Sequence, residues 1–445
     1  MSDKKASGAA IDSSDIAEAV AVTEHMVHFV PSHPKPEDSH KQALLEAVGQ
    51  MFEAGSSALY FDPSSAGMRI SIPTATGLHE IISLPLAVGR QVIEAIRQET
   101  TIKEDPGGGV HGPFAHGVMR VEQGGAERRL NVDLIPTVYG AAAVLRLMPA
   151  LPATSGDLLG MGLSQTQAPL IETLLTSGSG LMLLGGPDRD WVANTCSVLL
   201  SKAALLGRRP VMVASRAGAD MAGVARVEAG RDPADTASAI ARLAAADYSC
   251  IGVENFLSED VARAASAAVN DHKTLVLGIC GGRSAPETVS QFYSLGLPGP
   301  INAALALATC QIQIPLLCPK CAKWGDVSSE DIAYFGLDPT KQTNFFVRTG
   351  CTSCSGQITE FAQTFEIAQI TDALREKIRM GLPFARLEGE LTTMPGYVKL
   401  LHRFGEVIQE GKSSAAEARH YYMWQIPNAP RSIGAAPSGG NMKAV

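Results

Sequence analysis

Apolar residues along this chain recur at two spacings, that of an α-helix and that of a β-strand, and the switches between them predict its elements. Ala43, Leu44, Val48, Met51 and Phe52 stand at helical spacing, with Gly55 where a C-terminal cap belongs. Ala58-Leu-Tyr-Phe61 then reads as a strand and Asp62-Pro-Ser-Ser as a turn. Met68, Ile70 and Ile72 alternate with polar neighbours as a second strand. A helical pattern over 84–97, a glycine-rich break at 105–112 and strands at 117–122 and 143–148 complete an α+β domain over residues 39–150. Before it, residues 1–38 read as a loosely held arm. Within the arm, 16–30 suits a short helix or strand, and the prolines from Pro31 to Pro36 break anything longer.

The next domain, 158–310, alternates apolar strand runs with helical patterns. Strands are predicted at 181–184, 210–214, 250–253 and 274–279, and helices at 192–206, 234–245 and 258–270. That order predicts a parallel sheet covered on both faces, with ligands bound beyond the strand C-termini. Residues 185–195 fall at such a place. Gly180 to Thr195 reads as a buried strand, a Gly-Pro turn and a helix start, the layout of a phosphate-binding loop. A working loop also needs glycines, a Lys for the β/γ-phosphates and a Ser/Thr for Mg²⁺. Only Gly186 and Pro187 fit. Arg189, Trp191, Val192 and Ala193 take the remaining places, with Val192 and Ala193 where the Lys and the hydroxyl belong. Asp188 and Asp190 bring negative charge to where phosphates would sit.

Composition narrows the class. The chain has 445 residues, 45% apolar and 18% charged, which suits a soluble protein of two or three domains. Its formal charge of −8 argues against a nucleic-acid partner. The N-terminus lacks the apolar core of a secretory signal, and the apolar run 301–317 is interrupted by Asn302, Thr309, Gln311 and Gln313, so a cytoplasmic location is expected. Cys196, Cys250, Cys280 and Cys310 sit in apolar surroundings and read as small buried hydrophobes. The other four form Cys318-Pro-Lys-Cys321 and Cys351-Thr-Ser-Cys354, two pairs able to close a tetrahedral Zn²⁺ site over 311–360. Four sulfurs leave no open position, so that zinc would be structural. Residues 361–430 read as a helical region with helices at 367–379 and 397–410, and Ser414-Ala-Ala-Glu417 is a capping box opening a last one. The Gly/Ser/Pro-rich 431–445 predicts a disordered tail.

Taken in order, these pieces resemble the secretion ATPases of type II secretion and type IV pilus assembly (the GspE/PilB type) over roughly residues 40–425. The likeness rests on Leu317-Cys-Pro-Lys-Cys321 with Thr349-Gly-Cys-Thr-Ser-Cys-Ser-Gly356, similar to the family's tetracysteine zinc element, and on Phe365-Glu366 and Asp372-Ala-Leu-Arg-Glu376 after it. Ile135-Pro-Thr-Val-Tyr-Gly140 with Val144-Leu-Arg-Leu147 resembles the stretch leading into the motor domain. Gly55-Ser-Ser-Ala-Leu-Tyr-Phe-Asp-Pro63 and Met68-Arg-Ile70 resemble the start of the second N-terminal domain. The resemblance implies a RecA-like motor domain, a hexameric ring of this chain alone or shared with an active paralogue, and docking beneath an inner-membrane platform protein.

Departures from the family pattern fall on the nucleotide chemistry. Beyond the loop itself, the acidic box offers Ser215 and Arg216, and the expected histidine is replaced by Gly281 or Gly282. The Walker B region keeps Glu254, either a remnant catalytic base or a locally paired strand-end acid, with Val253 where a glycine is usual. The sequence therefore predicts a pseudo-ATPase that binds ATP and Mg²⁺ weakly if at all and serves a pilus or secretion machine as a structural or regulatory subunit. Two other readings compete. One is an active ATPase in which Arg189 stands in for the Lys, and the other is an unrelated zinc-ribbon adaptor or nucleic-acid protein.

Overall fold

In the computed structural model, residues 39–426 are described except 55, 57, 75–76, 105–113, 124–125, 148–156, 216–220, 222, 230–231, 339, 341–344, 352–353, 355–357, 359 and 395. The expected arm at 1–38, the cap at Gly55, the break at 105–112, Arg216 and the tail at 431–445 lie outside the described residues.

The chain divides into two compact units, the first drawn mainly from residues up to Arg146 and the second mainly from Leu147 onward. A seven-stranded sheet dominates the first. Its strands are β1 (Ala58–Ser64), β2 (Gly67–Thr74), β3 (Gly77–Leu84), β4 (Thr100–Glu104), β5 (Ala115–Gln123), β6 (Ala126–Thr137) and β7 (Gly140–Leu147), in the order β3-β2-β1-β7-β6-β5-β4. Helices α1 (Ser39–Glu53) and α2 (Leu86–Gln98) accompany it. Met68, Ile70 and Ile72 are buried, as their alternation predicts, and α2 buries Val92, Ile93 and Ile96. Gly89 lets α2 approach β2, since a β-carbon there would lie 2.3 Å from that of Met68. Strand β6 was equally readable: Leu130, Val132 and Leu134 alternate and are all buried.

The second unit is built on another seven-stranded sheet, ordered β10-β9-β11-β12-β8-β13-β16. These strands are β8 (Gly180–Gly185), β9 (Pro210–Ala214), β10 (Ala225–Glu228), β11 (Cys250–Val253), β12 (Leu275–Ile279), β13 (Leu305–Pro315) and β16 (Phe361–Gln369). From β10 to β13 every neighbouring pair is parallel, and β16 adds antiparallel to β13. Alternation sorts the two faces. Leu181, Leu183, Val211, Val213, Ile251 and Val276 join one apolar cluster with α5 (Pro233–Ala245), α6 (Glu259–His272) and α7 (Ala285–Tyr293). Met182, Leu184, Met212, Leu275 and Leu277 join the other with α3 (Ala168–Ser177) and α4 (Arg189–Leu205). Each such side chain, taken fully out of water, contributes about 2 kcal/mol.

The short α8 (Gly299–Asn302) precedes β13, and past β13 lie a hairpin of β14 (Ala322–Gly325) and β15 (Phe345–Arg348), with α9 (Ser329–Phe335) within that hairpin. Then come α10 (Asp372–Arg379), α11 (Phe384–Thr392), α12 (Leu400–Gln409) and α13 (Ala415–Gln425). Two expectations need correction here. The region 361–430 is not wholly helical, because Phe361–Gln369 is the edge strand β16 and the helix predicted from 367 starts at Asp372. Phe365 to Ala368 is buried at every position, Glu366 included, so no one-faced pattern separates strand from helix there. The capping box at Ser414 does not form either. Ser414 is the N-cap residue without a side-chain cap bond, and Glu417 is held elsewhere by Arg348. Among the described residues no helix is long and apolar enough to cross a membrane.

Candidate functional site

Strand β8 is flanked by β12 and β13, and its C-terminal end opens into the Gly186-Pro187 turn. The sequence pattern starts the following helix at 192, but the structure starts it at Arg189, so the expected loop is wound into the first turn of α4. Asp188 drives that change. Its carboxylate Oδ1 accepts hydrogen bonds from the Asp190 and Trp191 backbone N–H groups at 3.0 and 3.3 Å, a side-chain N-cap. Those N–H groups are among the free donors with which a helix start binds phosphate. Here the chain's own carboxylate takes them, with Asp190 adding a second acid in the same turn.

Val192, in the place of the Lys, is fully buried in the cluster around α4. It packs against the turn so closely that a β-carbon on Gly186 would meet its Cγ2 at 2.7 Å and the Gln311 carbonyl at 2.9 Å. Gly185 is equally confined, with Thr288 Oγ1 2.0 Å from where a β-carbon would stand. Ala193 offers no hydroxyl, and Thr195, two residues on, gives its own to Gln363 Oε1 at 3.4 Å.

Arg189 turns away from the turn. Its Nη2 donates to the Glu254 carbonyl at 3.0 Å and to Asn255 Oδ1 at 3.1 Å. The Glu254 carboxylate in turn accepts from the Ser215 N–H at 2.9 Å and its hydroxyl at 3.5 Å, and Asn255 Nδ2 donates to Ser215 Oγ at 3.1 Å. The C-terminal ends of β8, β9 and β11 are thus joined through Arg189, Glu254, Asn255 and Ser215. Gly282 stands at φ +122°, where a β-carbon would lie 2.5 Å from Thr288 Oγ1, so no side chain projects from it.

The cysteines form a second centre. Hairpin register pairs Ala322 with Arg348, which sets Cys321 beside Thr349. Thr349 donates to the Cys321 carbonyl from its N–H at 3.2 Å and from its hydroxyl at 2.8 Å. The four sulfurs lie within 4.8 Å of one another, with Sγ separations of 3.9 Å (Cys318–Cys351), 3.5 Å (Cys321–Cys354) and 3.8 Å (Cys351–Cys354). A tetrahedral zinc with Zn–S of about 2.3 Å requires sulfurs about 3.8 Å apart, so the donor set fits the ion. Burial, then the hydrogen bond with Cys354, push the Cys321 thiol up to about 11. Cys196, Cys250, Cys280 and Cys310 are buried apart from this cluster, and burial raises each of those thiols.

No family model matches the chain. It is 24% identical over 269 residues to the putative type II secretion system protein E of Escherichia coli K12, covering 58% of this chain and 54% of that protein. It is 21% identical over 393 residues to the type IV pilus assembly ATPase PilB of Myxococcus xanthus, covering 84% of this chain and 67% of PilB. In three dimensions it matches the X-ray structure of the Legionella pneumophila ATPase DotB with a TM-score of 0.52 at 14% identity, covering 89% of this chain and 98% of DotB. The chain is thus similar to ATPases of type II secretion and type IV pilus assembly. It spans about half the length of the first of these relatives. The fold is that of DotB, a mixed α/β architecture with a parallel-sheet domain.

Three residues near these centres carry contacts that the sequence pattern does not announce. Glu366 is 2% exposed, accepts from the Ala285 N–H at 3.4 Å and from the Tyr397 hydroxyl, and is pushed by burial to about 7. One acid inside the apolar run Phe365 to Ala368 was the available signal. Arg348 and Tyr421 carry no local pattern, because their partners lie far away in sequence.

Proposed function

We propose that this chain is a family member without phosphoryl-transfer chemistry. It serves as a structural or regulatory subunit of a type IV pilus, type II secretion or related assembly machine. One observation carries the reading: Asp188 caps α4 with the N–H groups a phosphate would need. Phosphoryl transfer relies on positioning and charge stabilisation by the loop Lys, the metal and its ligands. Each such interaction in a water-excluded site is typically worth about 3 kcal/mol or more. Val192 and Ala193 supply neither the charge nor the hydroxyl, and Asp188 and Asp190 oppose a triphosphate.

The active-enzyme reading needs Arg189 at the phosphates, and its bonds to Glu254 and Asn255 count against that. Glu254, held by Ser215, then acts as a link between strand ends in place of a catalytic base. The cysteine cluster holds a structural zinc ion in this reading, as the sulfur spacing supports. The resemblance adds a hexameric ring, of this chain or mixed with an active paralogue, at the cytoplasmic face of the inner membrane on a platform protein. ATP turnover by the purified full chain tests the reading. No release of phosphate above background is expected. Turnover abolished by Glu254→Gln would refute it.

A further inference from the structure

The last helix, α13, presents Glu417, Tyr421 and Gln425 at intervals of four residues, which sets them on one face. Each meets a different part of the unit. At the N-terminal end, the Glu417 carboxylate receives Arg348 Nε at 2.9 Å and Nη2 at 3.2 Å. In the middle, the Tyr421 ring lies 5.0 Å from that of Phe361 at the start of β16. At the C-terminal end, Gln425 accepts from the Gln313 N–H at 3.0 Å and donates to its carbonyl at 2.7 Å. Gln313 is paired with Gln363 across β13 and β16, and Gln363 receives the Thr195 hydroxyl of α4. One helix face therefore runs from the cysteine hairpin to the helix that replaces the phosphate loop. The Asp188 carboxylate is near enough to add to burial in pushing the Tyr421 phenol up to about 12.

Arg348 is the joint at the cysteine end. Its side chain is only 4% exposed, its Nη2 also donates to the Leu316 carbonyl at 2.7 Å, and the Cys354 sulfur is within its hydrogen-bonding reach. Strand β15 is anchored in the apolar core at Phe345, while Arg348 closes its other end beside the cysteines, where a shared metal ion would add a crosslink.

We propose that Arg348 and Glu417 couple metal occupancy at the four cysteines to the seating of α13, which straps the start of α4 shut. The metal half rests on the zinc reading above; the strap does not. With the ion bound, Arg348 is fixed between Cys354 and Glu417 and α13 lies down. Without it, β15 frays, the Arg348–Glu417 pair opens and α13 lifts from β13 and β16.

Hydrogen exchange of the full chain, followed by mass spectrometry with zinc content measured in parallel, tests this. In Glu417→Gln, zinc is retained, amides of 415–425 exchange at least tenfold faster, and strands 210–214 and 250–253 keep wild-type protection. Chelating zinc from the unaltered chain, which involves no substitution, gives the same acceleration. Wild-type exchange at 415–425 in zinc-loaded Glu417→Gln overturns the strap. Unchanged exchange there after complete zinc removal overturns the coupling, and a freshly purified chain without zinc overturns the zinc reading and the coupling together.

Discussion

Replacing Glu366 by Gln tests how the edge of the parallel sheet is held. The carboxyl is buried on β16, where it meets the N–H of Ala285 at the start of α7, the N–H of Leu400 at the start of α12 and the Tyr397 hydroxyl. Burial raises its pKa from 4.5 to about 7, while the Ala285 and Leu400 N–H groups and Lys399 pull the other way. A carboxyl raised on folding keeps its proton in the folded state after the unfolded chain has lost it. Its contribution is therefore fully present below about pH 4.5 and is lost as pH climbs through about 7. A gap of about 2.5 pH units, at about 1.36 kcal/mol each, amounts to about 3 kcal/mol. Gln keeps the shape and cannot ionise. Urea unfolding of both proteins between pH 5 and 8 should show the Gln variant gaining on the wild type as pH rises, by up to about 3 kcal/mol at the alkaline end. A difference between the two curves that does not change with pH would refute the reasoning.

Two substitutions test the site and its surroundings. Asp188→Ala removes the N-cap of α4 and should cost about 1 kcal/mol, read as a lower urea midpoint, while Asp188→Ser should restore most of it. Gly162 stands at φ +105° with the Gln363 carbonyl 2.0 Å from where a β-carbon would sit. Gly162→Ala should therefore cost about 3 kcal/mol or more by thermal or urea unfolding, and a loss under 1 kcal/mol would show that β16 yields there.

The parallel sheet was readable because its strands are short apolar runs and its helices open on recognisable caps. Asp232 and Ser258 cap α5 and α6 within a residue or two of where the pattern starts them. Strand β16 was not, since burial on both faces erases the alternation that separates strand from helix. The capping box at Ser414 failed for a different reason. A buried guanidinium from β15 offers Glu417 two charge-assisted bonds, stronger than one to a backbone N–H, and no local pattern announces it.

At the site itself, the contacts of Asp188 and of the cysteine pairs follow from local chemistry. Asp188 stands two and three residues before the N–H groups it caps, and each Cys-x-x-Cys turn is a local unit. The destinations of Arg189 and Glu254 depend on which strand ends the sheet order brings together. That order sets β11 between β9 and β12, a long-range fact that spacing along the chain does not contain.

Calorimetric titration of the full chain with a non-hydrolysable ATP analogue and Mg²⁺ tests the proposed loss of nucleotide chemistry most directly. With Asp188 on the helix donors and Val192 packed into the turn, no saturable heat is expected up to about 1 mM analogue, a binding free energy weaker than about −4 kcal/mol. A Mg²⁺-dependent Kd of about 1 μM, weakened by Arg189→Ala, would contradict it.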